Sequence, residues 1–191
     1  MTLLQVMADD DAAEVRLRTD DADLIRDELA TRGIAFDRSP VAPSLDATQS
    51  AEQILAENAE QVAAVNADDR YRHIDVAAVQ PDHSDPGWRV HAATARSKFL
   101  AEHRHAEDEV RFFVAGRACF YLHLEPEVFA VVCESGDLLT VPAGTRHWFD
   151  MGSDPSFVAI RFFEQEDGWV AAFTGDVIGE RFPTLDQLVT T

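Results

Sequence analysis

Apolar and polar residues recur with two different periods along this chain, and the change of period divides it. Over Ala22–Arg32, residues Leu24, Ile25, Leu29 and Ala30 fall at helical spacing, and Gly33 stands where a helix stop belongs. A second helix is predicted from about Ser50 to Ala67, with a stripe of Ala51, Ile54, Leu55, Ala59, Val62 and Val65. Asn58 interrupts that stripe. Between the two helices, Pro40 and Pro43 predict a loop over Ser39–Asp46. Tyr71–Val79 reads as a strand with Ile74 and Val76 on one face. A third helix is predicted from about Trp88 to Glu102.

From about residue 107 to 163 the helical stripes give way to short Phe- and Val-rich runs separated by turn residues. Strands are predicted near 108–115, 117–124, 127–133, 137–141, 147–150 and 156–163. Turns are predicted at Ala115-Gly116, Glu125-Pro126, Glu134–Gly136 and Gly152–Pro155. Many short antiparallel strands at this rhythm imply a small barrel or jelly roll. The expected fold is mainly β, with the N-terminal helices packed outside the barrel. No repeat of 20 to 50 residues is visible, so residues 1–191 read as one domain. Within it, 1–102 is helical and strand decoration, about 103–163 the barrel core, and 164–191 a C-terminal segment.

Hydrophobic residues make up 46% of the chain, enough for a packed core. Acidic side chains number 35 against 16 basic ones, a formal net charge of −19. Such a surface repels phosphate backbones and anionic headgroups, so nucleic acid and membranes are excluded as partners. The N-terminus lacks the basic region and apolar run of a secretion signal, and nothing approaches the length of a membrane-spanning helix. Cys119 and Cys133 lie in apolar strand-like runs and are expected to be buried thiols. A cytoplasmic monomer acting on a small molecule is the expectation.

The candidate chemistry begins at KFLAEHRHAEDEVRFFVAG, residues 98–116. His103, His105 and Glu109 share the parity of an extended chain, so a strand can aim two imidazoles and a carboxylate into one interior. Arg111 and Glu107 have the same parity, which makes Arg111 a candidate anion-binding group and Glu107 a candidate base. A fourth ligand, His147, lies in GDLLTVPAGTRHWFDM, residues 136–151, with Phe149 in phase with it. Three histidines and a glutamate suit a first-row divalent ion with open positions for substrate: iron(II), nickel(II) or manganese(II).

These two segments resemble the paired motifs of the cupin superfamily. His103, His105, Glu109 and Gly116 match the first motif, whose leading glycine is Ser97 here. Gly136, Pro142, Gly144 and His147 match the second, with Met151 at its asparagine position. The stretches HRHAEDEVRFFVAG and CESGDLLTVPAGTRHWFDMGSDPSFVAIRFFEQEDGWVAAFTGD are similar to the acireductone dioxygenase family, densely so from Lys98 to Asp176.

That resemblance implies a cupin barrel, one iron(II) or nickel(II) ion per chain, and dioxygen cleavage of a methylthio acireductone in methionine salvage. In that family iron gives formate and a 2-oxo acid, and nickel gives formate, carbon monoxide and methylthiopropionate. Phe99, Phe149 and Trp169 match its aromatic pocket positions. Arg161, in phase with Phe157, Ala159 and Phe163, is a second candidate for the substrate's negative charge. Two other readings remain open from the residues alone: a cupin oxidase or isomerase with the same ligands, and a cupin binding module without turnover.

Overall fold

The computed structural model describes residues 1–41, 49–166 and 169–190. The first residues, for which the periodicity predicts no element, form an antiparallel hairpin of β1 (Leu3–Ala8) and β2 (Val15–Thr19). All six residues of β1 are buried. A strand covered on both faces has no polar alternation to reveal it. Helix α1 (Ala22–Ala30) appears where predicted, and the Asp21 carboxylate caps it by accepting from the amides of Asp23 and Leu24. β3 (Ala35–Arg38) follows.

The single helix expected over 50–67 is two helices, α2 (Ala51–Glu57) and α3 (Ala59–Val65). Asn58 separates them. Its side-chain amide donates to the Ile54 carbonyl at 2.8 Å beside its own backbone N–H at 3.2 Å. A side chain competing for a helix carbonyl disturbs the ladder at that point. The loop expected around Pro43 lies mostly outside the described residues. β4 (His73–Val79) matches the prediction, whereas α4 (Trp88–Ser97) stops short of Glu102. Beyond it the Phe99 carbonyl accepts from Phe149 N–H at 2.9 Å, which draws the chain onto the barrel.

The remaining strands are β5 (His103–Arg104), β6 (Glu109–Leu124), β7 (Glu127–Glu134), β8 (Asp137–Val141), β9 (Arg146–Asp150), β10 (Phe157–Phe163) and β11 (Ala172–Phe173). A 3-10 turn at Ile178–Arg181 and α5 (Leu185–Thr190) follow as the last elements among the described residues. Long β6 belongs to two antiparallel sheets. Its second half pairs with β7 and β9 in the order β11-β5-β9-β6-β7-β1-β2. Its first half pairs with β8 and β10, which carry β3 and β4 at the edges.

The turn predicted at Ala115-Gly116 is therefore a bend within one strand. Against β10, Ala115 pairs with Val158 but Phe113 with Ala159, so one residue is extra. This bulge flips the parity of the inner face: Phe113 and Phe120 both join the barrel interior. Gly116 sits at φ +67°, and a Cβ there would lie 1.9 Å from the Ser156 carbonyl oxygen. Only glycine fits so close a crossing of β6 over β10.

The interior core joins Leu4, Val6, Phe120, Phe129 and Phe149 to Ile25 and Leu29 of α1. Burying each such side chain contributes roughly 1.5–3 kcal/mol. Ile54 of α2 packs outside one sheet against Phe112, Val158 and Ile160. Leu185 and Leu188 of α5 pack outside the other, with Tyr121 and Trp148. Cys119 and Cys133 are free and buried, and burial pushes both thiols well up. No helix among the described residues is long and apolar enough to cross a membrane.

Candidate metal centre

His103 and His147 face each other directly across β5 and β9. His105 follows β5, and Glu109 opens β6 on its inward face. The four ligand atoms lie within 4.8 Å of one another, and all four residues are buried. His147 Nε2 is 2.9 Å and His105 Nε2 3.2 Å from the same Glu109 oxygen, Oε2. Bonds of about 2.1 Å at right angles put neighbouring ligand atoms about 3 Å apart, which this spacing matches.

The outer nitrogens explain the orientation of the rings. Nδ1 of His103 meets the Ala101 carbonyl at 2.8 Å, His105 that of Val170 at 3.0 Å, and His147 that of Thr145 at 2.8 Å. A neutral imidazole donating from Nδ1 presents a lone pair at Nε2. Three lone pairs and a carboxylate then converge on one point, an arrangement that calls for a cation. The residues present fit a divalent ion.

The electrostatics agree. Burial pushes the Glu109 carboxyl up, but the Arg111 charge and the imidazole contacts outweigh it and hold the group well below its usual range. Burial lowers His103. Burial also acts to lower His105, but its bond to Glu109 prevails and the group is raised. Arg111 is 6% exposed and donates from Nε to Glu109 Oε1 at 2.8 Å. Its guanidinium carbon lies 4.3 Å from the Phe149 ring centre and 5.1 Å from that of Trp169. Glu109 thus gives one oxygen to Arg111 and the other to the ligand cluster.

A cavity of about 840 Å³ opens from these residues. Phe99, Arg111, Phe149, Arg161 and Trp169, all singled out from the sequence, line it together with His103, His105 and Glu109. The Phe99 and Phe149 rings meet edge to face at 6.3 Å. Arg161 lies farther out, clamped by Asp75 through bonds of 2.8 and 2.6 Å. Trp169 donates from Nε1 to the Asp108 carbonyl at 3.2 Å, which fixes its ring beside His105.

Glu107 is placed differently from the parity argument. The chain leaves the extended form between His105 and Glu109, so alternation does not carry across that gap. The Glu107 carboxylate accepts from the amides of Glu164 and Gln165 at 2.8 and 3.2 Å, and it does not line the cavity. Through that one oxygen, Oε2, it braces the chain leaving β10. His123 is buried, with Nδ1 2.5 Å from Glu102 Oε1. Neither belongs to the ligand cluster.

Several lining residues escaped the sequence reading. Phe163 packs 4.3 Å from Trp169, ring centre to ring centre, and its shared phase with Arg161 was the signal for it. Phe173 stands 5.8 Å from His103 on two-residue β11, too short to show any period. Lys98, Arg72 and His73 form part of the outer wall.

Comparison with known proteins converges on the same chemistry. The model of the ARD/ARD' family matches residues 43–171. Acireductone dioxygenase 2 of Nocardia farcinica is 64% identical over 190 residues, covering 100% of this chain and 99% of the relative. An acireductone dioxygenase of Prochlorococcus marinus is 53% identical over 173 residues, covering 91% and 90%. Among solved structures, the acireductone dioxygenase from Bacillus anthracis with a cadmium ion in its active centre aligns with a TM-score of 0.74. That alignment has 26% identity and covers 91% of this chain and 98% of the other. The ligand cluster, the barrel around it and this likeness along the whole length agree: the chain belongs to the ARD/ARD' family.

Proposed function

We propose that this chain is an acireductone dioxygenase of methionine salvage, working with one iron(II) or nickel(II) ion held by His103, His105, Glu109 and His147. The observation that carries the reading is the buried cluster of three imidazoles and one carboxylate, opening onto a cavity walled by Arg111 and aromatic rings. When bound, the ion supplies a Lewis acid that gathers the substrate's oxygens. The chain's own residues do the rest. Arg111 places a permanent positive charge beside the ligands, where an enediolate would carry its negative charge. Phe99, Phe149 and Trp169 offer apolar surface to a methylthio tail and keep water away from the reacting carbons. Arg161, held by Asp75, presents a second cation farther out.

The test is oxygen uptake by metal-stripped protein reloaded anaerobically with iron(II), then given a methylthio acireductone and air. Rapid uptake with formate and a 2-oxo acid as products is expected. Reloading with nickel(II) is expected to release carbon monoxide and methylthiopropionate with formate. Uptake no faster than the uncatalysed reaction, with metal bound, refutes the substrate.

A further inference from the structure

The aromatic wall of the cavity is not held by the barrel alone. Phe99 lies between the end of α4 and the ligand His103, and it is 38% exposed. Its carbonyl accepts from Phe149 N–H, which links it to β9. One turn earlier, Arg96 closes α4 with a two-pronged contact: Nε donates to Asp150 Oδ1 at 2.6 Å and Nη2 to Oδ2 at 2.8 Å. Asp150 follows Phe149 on β9 and is 1% exposed. It also accepts from Gly152 N–H at 2.8 Å and Leu185 N–H at 2.9 Å, so each carboxylate oxygen is doubly satisfied. From the other side Gly179 approaches so closely that a Cβ there would lie 2.9 Å from the Leu100 carbonyl oxygen.

An exposed ion pair is worth little, but a planar fork on a buried, fully bonded carboxylate fixes direction as well as distance. The segment from Lys98 to Glu102 is thereby gripped between β9 and the C-terminal stretch. We propose that Arg96, acting through Asp150, is a positioning residue: it sets the angle at which the chain leaves α4 and so holds the Phe99 ring against Phe149, where a substrate's apolar tail would lie. The assignment of the tail rests on the dioxygenase reading above. The clamp itself does not.

The test uses the full-length, iron-loaded protein with two acireductones, one carrying the methylthio tail and one ending in a bare methyl group. Phe99→Ala is expected to lower the preference for the methylthio substrate about tenfold, in line with the modest discrimination of apolar pockets. Arg96→Gln is expected to lower it about fivefold, chiefly through KM. The double variant is expected to be no worse than Phe99→Ala. Arg96→Lys keeps the charge but loses the fork, and it is expected to fall between wild type and Arg96→Gln. It carries the test if the glutamine variant is unstable.

Independently of turnover, amide exchange at Phe149 N–H is expected to speed up at least tenfold in Arg96→Gln, with amides between β6 and β7 unchanged. Effects of Arg96 and Phe99 that multiply, or a Phe149 amide that keeps its protection, overturn the proposal. If wild type turns over neither substrate, the dioxygenase reading fails and the Phe149 amide still decides the clamp.

Discussion

Replacing Arg111 with methionine keeps the bulk of the side chain and removes its charge. The guanidinium is buried and bonds the free oxygen of a metal ligand at 2.8 Å. A hydrogen bond to a charged group contributes about 1.5–3 kcal/mol. Partners of metal ligands typically carry about 10–100-fold in metal affinity. The two figures agree, and a nickel(II) affinity lower by one to two decades at neutral pH is expected, roughly 1.4–2.7 kcal/mol.

The pH dependence carries more information than the affinity. In the wild type Arg111 is among the groups that hold Glu109 well below the usual value of 4.5, so it is ionised before metal arrives. Without Arg111, burial is less strongly opposed and the carboxyl moves up. Protons then compete with metal for Glu109 from a higher pH downward, so the variant's affinity begins to fall in acid sooner than that of wild type.

The stability of the metal-free protein follows the same logic. A depressed carboxyl stabilises the fold above its unfolded value, and that gain is lost as pH falls through its folded value. The gap between wild type and variant is therefore widest above about pH 4.5 and closes in acid. Leaving one partner of a buried pair alone costs about 3–5 kcal/mol, which sets the upper end of that gap. The assay is chelator competition with nickel(II) at three values of pH, with urea unfolding of the metal-free protein beside it. An affinity within twofold of wild type, with the same pH slope, would show that the Arg111–Glu109 bond does not support the metal.

Three other outcomes are expected. His147→Ala should lose metal and oxygen uptake together, measured by metal analysis after dialysis; full occupancy removes His147 from the site. Gly116→Ala should destabilise by about 2–4 kcal/mol in urea unfolding, because a left-handed alanine costs roughly 1–2 kcal/mol and the added carbon must push Ser156 away. Asp137 is fully buried, and burial pushes its carboxyl up to about 6 from 3.8 despite its bond from Thr2 and the nearby Arg38. A raised carboxyl favours the folded state in its protonated form, so the contribution of Asp137 to stability should fall by up to roughly 3 kcal/mol as pH rises from about 4 to above 6. Relative to Asp137→Asn, wild type should lose stability across that window, and parallel pH profiles of the urea midpoint in the two proteins would contradict the burial argument.

The ligands were legible because the chemistry fixes their spacing and because His147 and Phe149 really do alternate on one strand. Parity was sound for Arg111 because it shares β6 with Glu109. It failed for Glu107, which lies in the irregular stretch before β6. β1 stayed hidden because a strand buried on both faces carries no alternation. The bend at Ala115-Gly116, beside the bulge at Val114, read as a turn, since one glycine after an apolar run signals either, and only pairing with β10 tells them apart. The end of α4 depended on a bond to β9, far away in sequence and invisible to helical periodicity.

The slenderness of β5 bears on how long an ion stays. This ribbon meets β9 through one residue pair and β11 through two. Lifting β5 and β11 away would free His103 and His105 together, while Glu109 and His147 remain on strands embedded in the barrel. Such sub-global openings need far less free energy than unfolding. An ion leaving by this route would have its residence time set by the opening of a few residues at the barrel mouth, including the Gly144 N–H bond to the His105 carbonyl. Exchange of one ion for another would keep pace with solvent exchange at the amides of β5, and would run ahead of any loss of the fold.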